Sequence, residues 1–188
     1  MNLPRHAVLL IIDVQNGFDE PNYWGDRNNP GAEQNMAKLL EAFRAAGRPV
    51  IFIQHVSQTP NSPLRPGQPG NDIKAILAPR GERVFQKTVH SAFINTPLER
   101  TLRGAAQDTL VICGLTTDHC VSTTTRMAGD MGFTAYVVDD ACACHDRKSH
   151  DGRTIPAQQV HETELAALHN EFGTVTTTQA VLDALASS

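Results

Sequence analysis

Residues Ala7 to Ile12 read AVLLII, an unbroken aliphatic run that stops at Asp13. A stretch this short and this uniformly apolar suits a strand covered on both faces. Further runs rich in Val, Ile and Leu follow: PVIFIQ (Pro49–Gln54), RVFQK (Arg83–Lys87), DTLVICG (Asp108–Gly114) and TAYVVD (Thr134–Asp139). Helical patterns separate them. Asn35–Ala46 has helical spacing and stops at Gly47, a C-cap candidate. Thr96–Leu102 carries Pro97 in its first turn. Asp118–Met131 and Pro156–Phe172 are two more, and a short strand TVTT leads to a terminal helix through Leu185. This alternation predicts an α/β fold, a parallel sheet covered on both faces, in one domain over residues 1–188.

In such folds ligands bind beyond the carboxyl ends of the strands. The residues to inspect are therefore Asp13, Gln54, His55, Lys87, Leu115 to Cys120, and Asp139 to Cys144. The segment His55 to Asn71 holds four prolines and two glycines. A loop of that length in a compact domain is functional or mobile.

Composition narrows the function classes. The net charge of −4 carries no long run of one sign, so a nucleic-acid footprint is not expected. No segment approaches the roughly 20 apolar residues of a membrane span. The opening MNLPRHAVLLIIDVQ lacks a small-residue cleavage site and reads as a strand, not a signal peptide. Four cysteines in 188 residues are too sparse for a disulfide scaffold, which favours a reduced, cytoplasmic protein. The chain has no G-x-G-x-x-G after its first strand, no P-loop motif and no G-x-S-x-G elbow. A dinucleotide or P-loop site is not expected.

Three residues allow chemistry. Cys120 opens the helix after the fourth strand, where Thr117 or Asp118 can cap it. A thiol in a first turn feels the positive end of the helix dipole, which favours the thiolate. Nearby N–H groups can hold a developing oxyanion. From position alone Cys120 is equally a nucleophile or a small packed residue, whereas Cys113 belongs to a strand core. Asp13 ends an apolar strand, and an acid there is costly to bury unpaired. Lys87 also ends a strand; singly, Asp13 and Lys87 read as a turn acid and a solvated lysine. Together the three make sense: the acid takes the thiol proton, and the lysine stabilises both anions.

The segments LLIIDVQNGF, FQKTVHSAF, LVICGLTTDHCVSTTTRMAGDMGF and VHETELAALHNEFGTV resemble the isochorismatase-like cysteine hydrolases, in order and from about Ala7 to Leu185. That family includes nicotinamidase, N-carbamoylsarcosine amidohydrolase and relatives of biuret hydrolase. The resemblance implies a three-layer α/β/α sandwich with a six-stranded, mainly parallel sheet. It implies that Asp13 is the general base, Lys87 the supporting cation and Cys120 the nucleophile. It also implies a cis peptide at Leu115–Thr116 that turns the Thr116 N–H toward the substrate oxygen, beside the Cys120 N–H. The implied reaction is acyl transfer from a C–N bond of a small molecule through a thioester, without a cofactor, in a homodimer or homotetramer.

The sequence also departs from parts of the family. Metal-binding members carry an Asp-x-His pair after the second strand. Here that place reads FIQHVSQTPNSP, and no second histidine follows His55 until His90, so no catalytic metal is expected. Gln54 and His55 remain candidates for the pocket wall. Members that hydrolyse a vinyl ether need no cysteine, so Cys120 favours amide chemistry. Vinyl-ether hydrolysis and a non-catalytic binding role stand as alternatives. Phe18 and Trp24 in NGFDEPNYWG form an aromatic lid or a subunit contact, and Phe93 and Thr117 are further pocket candidates. CACH, Cys142 to His145, reads as packing, because C-x-C-H alone is a weak metal signal. His119 points away from its neighbour Cys120 on a helix and reads as non-catalytic, and His161 as packing or subunit contact.

Overall fold

A computed structural model describes residues 1 and 3–187. Strand β1 (Val8–Ile12) is buried along its whole length, as its aliphatic run requires. A short helix α1 (Pro21–Trp24) precedes helix α2 (Ala32–Ala45), and β2 (Val50–His55) follows. Helix α2 turns Met36, Leu39, Leu40 and Phe43 into the core. Full burial of each such side chain is worth about 1.5–3 kcal/mol. Gly47 ends this helix with φ of 62°, and the Arg48 N–H reaches back to the Phe43 carbonyl. This is the glycine C-cap expected there.

The chain continues through β3 (Arg83–Lys87), α3 (Leu98–Gly104) and β4 (Thr109–Leu115). A π-helical turn, Thr117–Val121, then leads into α4 (Ser122–Asp130) and β5 (Thr134–Ala143). A small antiparallel hairpin, β6 (Arg147–Lys148) and β7 (Thr154–Ile155), precedes α5 (Ala157–Leu168), β8 (Thr174–Thr176) and α6 (Thr178–Ala186). The hairpin has no counterpart in the sequence reading, because two-residue strands leave no periodic signal.

The main sheet has the order β3-β2-β1-β4-β5-β8, with every neighbouring pair parallel. This is the six-stranded, parallel α/β sheet that was anticipated. Strand order reverses between β1 and β4, since the chain adds β2 and β3 on one side and then crosses to β4 on the other. Such a switch point opens a crevice past the carboxyl ends of the two strands. Asp13 leaves β1 there, and Thr116 to Cys120 leave β4.

Gly114 sits in this crevice wall for a reason the sequence did not give. Its φ of 135° does favour glycine, but a Cβ at this position would also lie 2.1 Å from the Ile12 carbonyl oxygen. Only glycine lets β4 approach β1 this closely just before the site begins. The Leu115–Thr116 peptide that follows is cis.

The loop after β2 is tied down by two buried amides. Gln15 pairs with both the N–H and the carbonyl of His55 and also donates to the Asn71 carbonyl. Asn71 donates to the carbonyls of His55 and Leu64. The prolines thus frame an ordered loop that follows His55, the last residue of β2, which is fixed at the crevice. No helix among the described residues is long and apolar enough to cross a membrane.

Candidate active site

Three side chains from distant parts of the chain meet at the switch point. Asp13, with φ of 52°, directs a fully buried carboxylate into the crevice. Lys87 ends β3, and its ammonium lies 2.6 Å from Asp13 Oδ2 and 3.2 Å from Cys120 Sγ. The same Nζ lies 3.1 Å from the Val89 carbonyl oxygen and 3.2 Å from His55 Nδ1. Lys87 crosses the end of β2 to do this, and its backbone is in register with His55. Asp13 Oδ1 is buried and has no hydrogen-bond partner among the described residues. A buried carboxylate oxygen left unpaired is costly, so an acceptor kept open here calls for a functional reason.

The electrostatics correct one expectation. A helix N-terminus was expected to lower the Cys120 pKa. Burial instead pushes it well above the ordinary thiol value, and the Asp13 carboxylate pushes it the same way while Lys87 opposes both. Cys120 lies in the π-helical turn, under cover of the protein, where the cost of removing a thiolate from water exceeds the dipole's help. The resting sulfur is a thiol and needs a base. Burial works against the Lys87 ammonium, yet the charge and hydrogen bond of Asp13 raise its pKa and keep it charged, and a Cys120 thiolate, once formed, would reinforce this. Burial and Lys87 lower the pKa of His55, which favours the neutral ring.

The turn that carries Cys120 is wound around one carbonyl. Thr116 O accepts from the His119 N–H at 3.1 Å and the Val121 N–H at 3.2 Å. Its side chains are tied outward. Arg147 on β6 grips Asp118 with two hydrogen bonds of 2.6 and 3.0 Å and reaches Thr116 Oγ1 at 3.4 Å. Thr117 bonds to His161 on α5, and Ser122 donates to Glu164. Arg126 pairs with that same Glu164 carboxylate at 2.8 Å. His119 is exposed, edge-on to His90, with His55 beyond His90 at 6.5 Å between ring centres.

The pocket candidates separate. His55 touches Lys87 and stays beside the site. Gln54 spends its amide on the Asn71 carbonyl and on Gln86, so it holds the loop. Phe93 is buried against Phe133. Phe18 is buried in a stack with Trp24 and His145. Trp24 donates to the Gly17 carbonyl and borders a surface cavity of about 410 Å³ with Tyr23, Asp26, Arg147 and Lys148. Thr117 is fully buried, with its hydroxyl committed to His161. Cys113, Cys142 and Cys144 are buried and free; Cys144 donates to the Ala157 carbonyl, and His145 Nε2 faces the Phe18 carbonyl. The CACH segment is therefore packing.

By residue type, Asp13, His55 and Cys120 are also potential metal ligands, with one ligand atom of each within 4.8 Å of the others. An ammonium already bridges all three, so a metal ion would have to displace Lys87. Sequence reasoning missed Gln15 and Arg147, and it marked Asp139 only as a strand-end residue without its partner. Gln15 directly follows the Asp13–Val14 strand end, where a buried polar residue is a signal in itself. Arg147 and Asp139 act through partners far away in the chain, which no local pattern announces.

The family described as "Isochorismatase domain" matches residues 7–180. The uncharacterized isochorismatase family protein YrdC of Bacillus subtilis is 46% identical over 182 residues, covering 96% of this chain and 97% of that protein. A crystal structure from Chromobacterium violaceum, described under the isochorismatase family, superposes with a TM-score of 0.96 at 42% identity, covering 100% and 98% of the two chains. The ureidoacrylate amidohydrolase RutB of Methylobacterium radiotolerans is 27% identical over 217 residues, covering 97% of this chain and 80% of that enzyme.

Proposed function

The chain belongs to the isochorismatase family of hydrolases, and from that premise we propose a cysteine-dependent amidohydrolase that cleaves a C–N bond of a small amide, ureide or carbamoyl compound. One observation carries the reading: the Lys87 ammonium bridges a buried carboxylate and a buried thiol. Similarity to a ureidoacrylate amidohydrolase supports the substrate class.

In this reading Asp13 Oδ1, the open acceptor, takes the Cys120 proton as the sulfur attacks the carbonyl carbon. Lys87 compensates the negative charge throughout. The N–H groups of Thr116 and Cys120 hold the oxyanion. Collapse of the tetrahedral intermediate breaks the C–N bond, and Asp13 returns its proton to the leaving nitrogen. A water deprotonated by Asp13 then attacks the thioester, and the Cys120 sulfur leaves and is reprotonated. Because the resting thiol is protonated, attack and proton transfer are coupled to substrate arrival. No cofactor enters this scheme. The working form is a homodimer or homotetramer in the cytoplasm.

A screen of small amides and ureides with ammonia detection tests the proposal. Turnover of at least one is expected, with none in Cys120→Ala. Full activity in Cys120→Ala would overturn the mechanism and favour chemistry that does not use the sulfur, such as vinyl-ether hydrolysis. The oligomer is tested by light scattering on the purified chain.

A further inference from the structure

Thr117 lies between Thr116 and Cys120 in the turn, and it is fully buried. Its Oγ1 is 2.8 Å from His161 Nδ1, and His161 Nε2 is 2.7 Å from Asp139 Oδ1. His161 is 2% exposed on α5. Asp139, on β5, is about half exposed and borders a surface cavity of about 430 Å³. A hydrogen-bonded chain thus runs from solvent to the turn that carries the nucleophile.

The donor and acceptor pattern is set by Asp139. An ionised carboxylate only accepts, so His161 Nε2 carries a proton. In the neutral ring Nδ1 then accepts from the Thr117 hydroxyl; in the imidazolium it donates to the same oxygen. Either way the Thr117 side chain has one place to be. Thr125, also fully buried, shows the cheaper alternative: its hydroxyl donates at 2.8 Å to the Val121 carbonyl of its own helix. Thr117 instead reaches across to another element, which fastens the turn to α5.

We propose that His161 is a positioning residue, and that Asp139, His161 and Thr117 together hold the turn so that the Thr116 and Cys120 N–H groups converge on one oxyanion. Thr117 is the residue after Thr116 and three before Cys120, so its backbone orientation directs both groups. The inference rests on the amide-hydrolase reading for its kinetics but not for its binding test.

The test compares Thr117→Val, Thr117→Ser and His161→Ala in the full chain. An aldehyde adds the Cys120 sulfur to its carbonyl carbon, with the thiol proton passing to Asp13 or to the new oxygen, and its oxygen then occupies the proposed hole. Butyraldehyde affinity, measured by calorimetry, therefore reports the hole without turnover. Thr117→Val and His161→Ala should weaken it about tenfold or more, and Thr117→Ser should keep it within about twofold. Where a turned-over amide is found, Thr117→Val should lower kcat roughly 10–100-fold with KM changed less than threefold. Iodoacetamide, which needs the sulfur but no oxyanion donors, should alkylate these variants at near wild-type rates. Unchanged aldehyde affinity in Thr117→Val would overturn the inference, as would an equal loss in Thr117→Ser. Should His161→Ala fail to fold, the Val and Ser pair decides alone. If wild type binds aldehyde but hydrolyses no amide, the substrate reading fails while this one stands.

Discussion

Two charge clusters of this molecule are built to opposite ends. In the first, Lys74 meets Glu33 at 2.7 Å and Asp19 at 2.5 Å, and Arg27 forks onto Glu33 at 2.7 and 2.8 Å. Both Glu33 oxygens are engaged. Burial opposes its charge, but the hydrogen bonds and charges of Arg27 and Lys74 win and lower its pKa to about 2. The unpartnered buried atom here is Arg27 Nε, a donor that has no proton to take up. In the second cluster Asp13 has one oxygen on Lys87 and leaves Oδ1 open, beside a thiol whose pKa is raised. In the first cluster the Glu33 carboxylate is saturated, and it holds α2 to the chain that follows β2. The second keeps a proton and an acceptor near each other without completing the transfer, which is what a reaction needs and a scaffold does not.

Asp13→Asn should break the comparison most severely. Turnover of any amide substrate should fall by roughly 10⁴-fold, the scale seen when one member of a catalytic group is removed. The same change removes the negative charge that raises the Cys120 pKa and leaves Lys87 beside the sulfur. Alkylation by iodoacetamide at pH 7.5 should therefore accelerate, by about 3–10-fold. A scaffold acid would show neither the collapse of turnover nor this opposite sign. Parallel loss of both rates would mean that Asp13 acts on the fold and not on the proton.

Lysine removal should separate the clusters next. Lys87→Met strands a fully buried carboxylate and should cost about 3–5 kcal/mol in urea unfolding together with turnover. Lys74→Met leaves Glu33 its Arg27 fork and exposed Asp19 its water, so it should cost less, about 2–3 kcal/mol, with kcat within about twofold. Acid should also act on the saturated carboxylate. A carboxyl whose pKa is depressed on folding binds protons more readily when unfolded. The Glu33 contribution is complete above its ordinary 4.5 and fades as pH falls toward about 2. Unfolding free energies between pH 5 and 2 should drop less in Glu33→Gln than in wild type, by about 2–3 kcal/mol after allowance for screening. Equal slopes would show that this cluster does not set acid stability.

What was legible in the sequence follows the same division. The β1 run demanded burial on both faces, and Arg83–Lys87 was placed to the residue, because strand patterns are local. Asp13, Lys87 and Cys120 were legible as strand-end residues of the right chemical types, and the resemblance grouped them. The raised thiol pKa was not legible, because it depends on burial and on a charge from a segment more than a hundred residues away. Nor were Gln15, Arg147 and the Asp139–His161 pair. Each satisfies a backbone or side-chain group across the fold, and nothing near it in the chain marks the partner. The fifth strand ran to Ala143, beyond Asp139, because the register shift between Ile112 and Gly114 lets β5 pair again past its polar residues.

The smallest expected effect falls on the residue beside the nucleophile. His119 looks like a base by proximity in sequence, but its ring is exposed, and its nearest charged partner is Asp118 at 3.5 Å. Asp118 is already held by the Arg147 guanidinium, so it gains little from the imidazole. The half of the ring that is covered, together with Arg147, lowers the His119 pKa against the pull of Asp118, which favours the neutral ring at pH 7.5. His119→Ala should leave kcat within about twofold and stability within about 0.5 kcal/mol, as for a surface substitution away from any saturated contact. A change in KM alone would assign the ring to the rim where substrate enters, next to His90. A tenfold fall in kcat would instead place a second proton carrier in the site and would require Asp13 to share the role that its open oxygen implies.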